Sequence, residues 1–190
     1  MPELPEVETV RLGLSRLIRG KRIERISHDT PKGFPNAEAD ISEFAVGAYI
    51  TDIRRRAKVL ILDLDSGYSF IIHLKMTGQL VFRGEEQFGA GHPNDSLVGE
   101  LPDKSTRVIF EFSDTTKLFF NDQRKFGWVR FMPTPEIVNL DFFKKVGPEP
   151  LSADFSGAKF IERIRRRSGT TIKAALLDQT VLAGIGQKYA

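Results

Sequence analysis

KVLILDLDSGYSFIIHL, residues 58–74, decides the fold. Two β-rich runs, 58–64 and 68–75, flank Asp65-Ser66-Gly67, a turn of hairpin length and composition. Parallel neighbours need a crossover of roughly a dozen residues or more, so these two strands pair antiparallel. The same pattern extends in both directions. Further β-rich runs lie at 22–28, 46–54, 79–82, 106–112, 116–121 and 126–132, and Ser113-Asp114-Thr115 makes a second tight turn. So many short strands predict a two-layer antiparallel β-sandwich. Ahead of them, residues 5–19 read as an amphipathic helix: Val7, Val10, Leu14, Leu17 and Ile18 fall at helical spacing, acids and Pro5 open it, and Gly20 stops it. The stretch 83–103 is rich in Gly and Pro and poor in apolar residues, which predicts a mobile loop on the sandwich.

Past Met132 the period turns helical, at 135–146, 154–167 and 171–183, and Gly147-Pro148-Glu149-Pro150 reads as a linker. The fold class is therefore α+β. An N-terminal antiparallel β-sandwich domain, 1–134, carries a flanking N-terminal helix, and a helical region, 135–190, follows it.

Composition narrows the chemistry. The 190 residues contain no Cys, which excludes disulfides, thiol nucleophiles, iron–sulfur clusters and thiolate zinc sites among them. His28, His73 and His92 are scattered without ligand spacing, so neither a metal nor a cofactor is expected. No run approaches the ~18–20 apolar residues of a membrane span, and the acidic opening is unlike a signal peptide, so the expected location is the cytoplasm. The net charge of +3 is regional: residues 151–190 carry seven Lys and Arg against three acids, whereas the first 150 sum to −1. Arg54-Arg55-Arg56 with Lys58 makes a second basic cluster. Two such patches suit a polyanion, although charge runs are also common on solvated faces.

One residue near the amino terminus has chemistry of its own. Removal of the initiator Met before a small residue leaves Pro2 with a free secondary amine. An α-amino group has a pKa of about 7.7–8.0 against about 10.4 for a Lys side chain, so far more of it is unprotonated at neutral pH. Such an amine attacks an aldehyde-like carbon to give an iminium ion, with Glu3 beside it for proton transfer.

Six ordered motifs share one resemblance: MPELPEVETV (1–10), RRRAKVLILDL (54–64), HLKMTGQL (73–80), NDQRKFG (121–127), VGPEPL (146–151) and IKAALLDQTVLAGIG (172–186). Together they resemble the formamidopyrimidine-DNA glycosylases, bacterial repair enzymes for oxidised purines. The resemblance implies a bifunctional glycosylase and abasic-site lyase. Pro2 would attack the sugar C1′, Glu3 would donate a proton to the opening sugar, and Lys58 would contact phosphate and assist β-elimination. Met76, Arg124 and Phe126 would fill the gap left by the flipped-out nucleotide, two apolar wedges with an Arg for the widowed base. Arg107, Arg167, Lys173 and Gln187 would hold DNA backbone, and 172–186 would begin a helix-two-turn-helix element. The implied partner is double-stranded DNA with oxidised bases or abasic sites, and a monomer is expected.

The sequence also departs from the family pattern. Gln187 stands where Asn is usual, Lys75 where Gly is usual and Gln123 where Pro is usual, while Lys-Ser-Thr-Arg-Val (104–108) lacks the usual His pair, leaving Arg107 as a substitute. The family pattern continues beyond the GIG turn into further helices and a four-cysteine zinc finger. The expectation is of a chain cut short inside its helix-two-turn-helix. Two rival readings stay open: a non-catalytic DNA-binding fragment, and the sister family acting on oxidised pyrimidines, whose pattern usually diverges after Met-Pro-Glu.

Overall fold

The computed structural model describes residues 1–190. Nine strands form two antiparallel sheets. In chain order they are β1 (Ile23–His28), β2 (Ile50–Arg56), β3 (Val59–Leu64), β4 (Tyr68–His73), β5 (Gly78–Arg83), β6 (Gln87–Gly91), β7 (Thr106–Phe112), β8 (Lys117–Asp122) and β9 (Trp128–Pro133). One sheet runs β1-β7-β8-β5-β6 and the other β2-β3-β4-β9. The expected hairpin is present, with Val59 opposite His73 and Leu62 opposite Phe70 across β3 and β4.

The near-continuous apolar run of β3 and β4 has a structural reason: both faces of this hairpin are covered. Leu60, Leu62, Leu64, Phe70 and Ile72 face the core between the sheets. There Phe70 meets Phe110 edge-to-face at 5.1 Å and Phe131 at 4.5 Å. Val59, Ile61 and Ile71 point outward into a second cluster closed by Ile137, Trp128, Phe142 and Phe143. The segment after β9 thus packs on the sandwich. It is not the continuous helix expected at 135–146, because extended backbone at Leu140 divides it into a 3-10 turn, Thr134–Asn139, and a short α3, Asp141–Lys145.

Helix α1 (Leu4–Leu17) bridges the edge strands of the two sheets, β2 and β6. Its Val7, Val10 and Leu14 are buried, and Gly13 permits a close approach to Phe88, since a Cβ there would stand 2.2 Å from the ring. Phe88 belongs to the stretch expected as a mobile loop. That expectation is corrected by β6, which pairs with β5, and by a 3-10 turn at Asp95–Leu97. A polar network fastens the segment: buried Gln79 donates to the His92 carbonyl at 2.8 Å and to Asn94 Oδ1 at 3.0 Å, and accepts from Asn121 at 2.9 Å. The other early segment is α2 (Glu38–Asp40), which runs into a π turn at Ile41–Ala45.

The last fifty residues are built differently. Helix α4 (Gly157–Arg165) buries no residue, and α5 (Ile172–Leu177) buries only Ala175. Helix α5 ends six residues short of the expected boundary because Asp178 competes for the backbone: its carboxylate accepts from Thr180 N at 2.9 Å and Thr180 Oγ1 at 2.6 Å. A turn therefore replaces the last part of the expected helix and carries the chain to Gly184, at φ +92°. Val181, Leu182 and Ala183 in that turn are buried.

Candidate active site

The turn at 184–186 lies on the amino-terminal end of α1. Leu4 N donates to the Gly184 carbonyl at 3.1 Å, and the buried Glu3 carboxylate accepts from Gly186 N at 2.8 Å and Lys188 N at 2.9 Å. Only glycine fits at 186, where a Cβ would stand 2.4 Å from Glu3 Cδ. Pro2 is buried beside Glu3. The two residues expected to do covalent and proton-transfer chemistry are thus fixed where the first and last parts of the chain meet. Lys58 joins them from the turn between β2 and β3: its ammonium donates to the Ile185 carbonyl at 2.9 Å. Burial pushes the Lys58 ammonium below the usual lysine range, a shift opposed by the charges of Glu3 and Glu6.

Lys58 and the turn line a cleft of about 400 Å³ with Met1, His73, Lys75 and Gln187, among others. His73 is kept neutral there, its pKa pushed down to about 3 by burial and by the nearby charges of Lys75 and Lys58. Glu6 sits outside the cleft and ties the end of the chain to α1. Burial alone would raise its pKa, but hydrogen bonds from Lys188, Tyr189 and backbone N–H groups lower it to about 2.

Met76, Arg124 and Phe126 are exposed on two adjoining turns. The Arg124 guanidinium stacks 4.9 Å from the Phe126 ring centroid. A buried carboxylate holds both turns: Asp122 accepts from Thr77 Oγ1 in the Met76 turn, from Arg124 N at 3.2 Å and from Gly127 N at 2.7 Å. Gly127 must stay small, because a Cβ there would approach the His73 carbonyl to 2.9 Å. Three exposed side chains are thereby carried on turns tied to one carboxylate.

Other expected residues lie elsewhere. Arg107 has its guanidinium engaged inside the fold, by the Asp122 carbonyl at 2.8 Å, the Lys104 carbonyl at 2.7 Å and Asp29 at 2.5 Å. It braces the Asp122 turn, and its donors are turned away from solvent. Arg167 pairs with Asp178 at 2.6 Å and lines a separate crevice of about 270 Å³ with Lys145, Arg163 and Arg166. Lys173 is exposed on α5, and Gln187 is exposed at the cleft. The Arg54–Arg56 run is not a free basic patch. Arg54 pairs with Asp63 at 2.7 Å, Arg55 with Glu8 at 2.7 Å and Glu149 at 2.8 Å, and Arg56 with Glu149 at 3.4 Å.

Sequence reading missed two positioning residues. Glu149 accepts from Ala57 N at 2.8 Å, which fixes the left-handed turn, φ +53° at Ala57, just before Lys58. Gln179 donates to the Ile185 carbonyl at 2.7 Å and accepts from Gly184 N at 2.9 Å, so it shapes the turn that meets Glu3. Glu149 lay within a quoted motif, but its partner was not readable there. A four-cysteine zinc finger has no counterpart in these residues, which include no Cys and no converging group of metal-ligating side chains. No helix is long and apolar enough to cross a membrane.

The chain is similar over its whole length to curated relatives called formamidopyrimidine-DNA glycosylase. It is 36% identical to that of Roseobacter denitrificans and 40% identical to that of Desulfitobacterium hafniense, spanning 65% and 64% of their lengths. Among solved structures, the Lactococcus lactis Fpg in complex with abasic-site DNA matches 99% of this chain and 64% of that one, with a TM-score of 0.82 and 31% identity. A variant of the same enzyme bound to Fapy-dG-containing DNA matches with a TM-score of 0.82 and 32% identity. The family model described as the formamidopyrimidine-DNA glycosylase N-terminal domain matches residues 1–129. With that match over more than half of its length, and with its antiparallel sandwich, the chain belongs to the formamidopyrimidine-DNA glycosylase family.

Proposed function

We propose that this chain carries the glycosylase and abasic-site lyase chemistry of a base-excision repair enzyme for oxidised purines, 8-oxoguanine and formamidopyrimidines, in double-stranded DNA. The observation that carries the reading is the meeting of Glu3 and Lys58 on the 184–186 turn, with Pro2 buried next to Glu3, beside a cleft lined by Met1, Lys58, Ile185 and Gly186. After removal of Met1, the Pro2 nitrogen attacks C1′ of a flipped-out nucleotide. The glycosidic bond breaks and the base departs with a proton, while Glu3 protonates the ring oxygen as the sugar opens. The resulting iminium ion acidifies C2′; loss of that proton expels the 3′ phosphate, and water then releases Pro2. Lys58 supplies positive charge to the phosphate. Met76 and Phe126 wedge into the gap and Arg124 hydrogen-bonds the widowed base, offsetting an unstacking cost of a few kcal/mol. Arg167, Lys173 and Gln187 hold the backbone on either side. The chemistry needs no metal or redox cofactor at this cleft, and its substrate is nucleoid DNA in a bacterial cytoplasm.

Borohydride reduction on an abasic-site duplex tests the reading, with intact mass confirming that Met1 has gone. The expected result is a covalent protein–DNA adduct that disappears in Pro2→Gly. Binding without any adduct at low salt would leave the chain a DNA-binding fragment and overturn the catalytic assignment.

A further inference from the structure

The turn between β4 and β5 contains a residue in a conformation that its type avoids. Lys75 has φ +51°, the left-handed region in which a Cβ is crowded by its own backbone. A glycine would sit there without that crowding, so the lysine side chain needs another explanation. Backbone strain of this kind collects at sites that use it.

The side chain lines the same cleft as Lys58 and Gln187. Its surroundings hold it in place: Lys75 N donates to His73 Nδ1 at 3.1 Å, and the residue is half-buried. The Lys75 ammonium has no carboxylate or hydrogen-bond partner anywhere in the protein, whereas the Lys58 ammonium is committed to the Ile185 carbonyl. The Arg54–Arg56 guanidinium groups are occupied by Asp63, Glu8 and Glu149. The acid of the site, Glu3, is held by two backbone N–H groups and faces the 186–188 turn. An anion entering the cleft therefore meets, besides the terminal amine, one side-chain ammonium with all its donors free.

We propose that Lys75 is an additional phosphate-binding residue of this cleft, holding a DNA backbone phosphate beside the reacting sugar; the assignment rests on the reading of the cleft as a DNA site. Lysine suits the task as a compact point charge on a flexible stem. A phosphate contact of this kind releases counterions, which gives it a signature that packing or backbone effects lack.

The test is the salt dependence of binding, from about 50 to 200 mM, of the Met1-processed chain to a duplex containing a tetrahydrofuran abasic-site analogue. Lys75→Met keeps a side chain at the strained position and removes the charge; Lys75→Gly removes both charge and strain. Both are expected to weaken low-salt binding several-fold and to flatten the slope of log K against log salt by about 0.9, while Lys75→Arg keeps the slope. Lys75→Gly is also expected to melt no lower than the parent, which separates the loss from misfolding. Slopes equal to the parent's in both uncharged variants would overturn the assignment. So would weakening in Lys75→Gly alone, which would mark a backbone role. A parent that binds and forms the borohydride adduct while the variants match it removes Lys75 only. A parent that binds no duplex overturns the DNA reading of the cleft and the Lys75 contact with it.

Discussion

The sandwich and the helical end of this chain are held together by different forces. The sandwich closes around a contiguous core of 26 buried residues, whereas α4 contributes no buried residue and α5 contributes one. Beyond the small buried turn at 181–183, what fixes the helical end is polar: Glu3 on the 186–188 backbone, Lys58 on the Ile185 carbonyl, Glu6 on Lys188 and Tyr189, and Glu149 on Arg55, Arg56 and Ala57 N. Elements with few apolar contacts open at lower free energy than the core around them. The proposed reacting groups sit on the rigid side of this seam and the covering turn on the compliant side. That division suits the proposed reaction, in which a bulky nucleotide enters without loosening the nucleophile.

The comparison predicts a large loss on one side. Ile72→Ala, at a fully buried core position between the sheets, is expected to cost about 2–5 kcal/mol in urea unfolding. A loss below about 1 kcal/mol would mean that the core is not the main source of stability. Next in size is Glu149→Ala, which strips a partner from the almost fully buried Arg55 and the acceptor from Ala57 N. Arg55 keeps Glu8, so the expected cost is about 2–3 kcal/mol, below that of a wholly orphaned buried charge. Hydrogen exchange is expected to accelerate most over 147–186 and the Ala57 turn, with β4 and β8 little changed. Uniform acceleration would break the distinction between the two regions.

The same division explains what could be read from sequence. The β3–β4 hairpin was legible because period, strand length and turn chemistry agree locally over 58–74. Strand β6 was not, because Gly89 and Gly91 look like loop residues; at Gly91 a Cβ would meet the Gly78 carbonyl at 2.6 Å, a cross-strand fact. The end of α5 was misplaced because Asp178 matches the helical pattern by position and breaks it through its own side chain. At the site, Pro2 carries its chemistry in its residue type, but second-position Pro is common, and only the family resemblance raised it above that ordinary reading. Lys58, Met76, Arg124 and Phe126 were nominated through the family resemblance. Glu149, Gln179 and Asp122 act through partners 45 or more residues away or through loop backbone, and nothing local marks such carboxylates and amides. The Arg54–Arg56 run shows the converse: a local charge signal whose pairing partners Glu8 and Glu149 lie far off in sequence.

A smaller effect separates the polar seam from the core by pH. Glu6 has a pKa of about 2 in the folded chain against an ordinary 4.5, because hydrogen bonds from Lys188 and Tyr189 outweigh the opposing effect of burial. A lowered folded-state value means that the unfolded chain binds the proton first. The stability from Glu6 is therefore complete above about pH 4.5 and drains away as pH falls towards about 2. Solvent screening limits it to about 1 kcal/mol. Urea midpoints at pH 5.5 and 2.5 should show a larger acid loss in the parent than in Glu6→Gln; equal losses would remove Glu6 from the seam.

The smallest expected effect is the sharpest control, because it repeats the largest substitution in the other region. Ile172 begins α5 and is 71% exposed, against 0% for Ile72. Replacing Ile172 by Ala removes little buried surface, and Ala is the better helix former by a few tenths of a kcal/mol. It leaves no cavity, so the change in stability should stay within about 0.5 kcal/mol of zero. A loss approaching that of Ile72→Ala would place Ile172 in an apolar contact important to the fold, and would show that the helical end rests on burial as the sandwich does. A change near zero, beside a large loss in Glu149→Ala, would assign the attachment of that end to its polar ties, so that its opening responds to salt and acid more than to core packing.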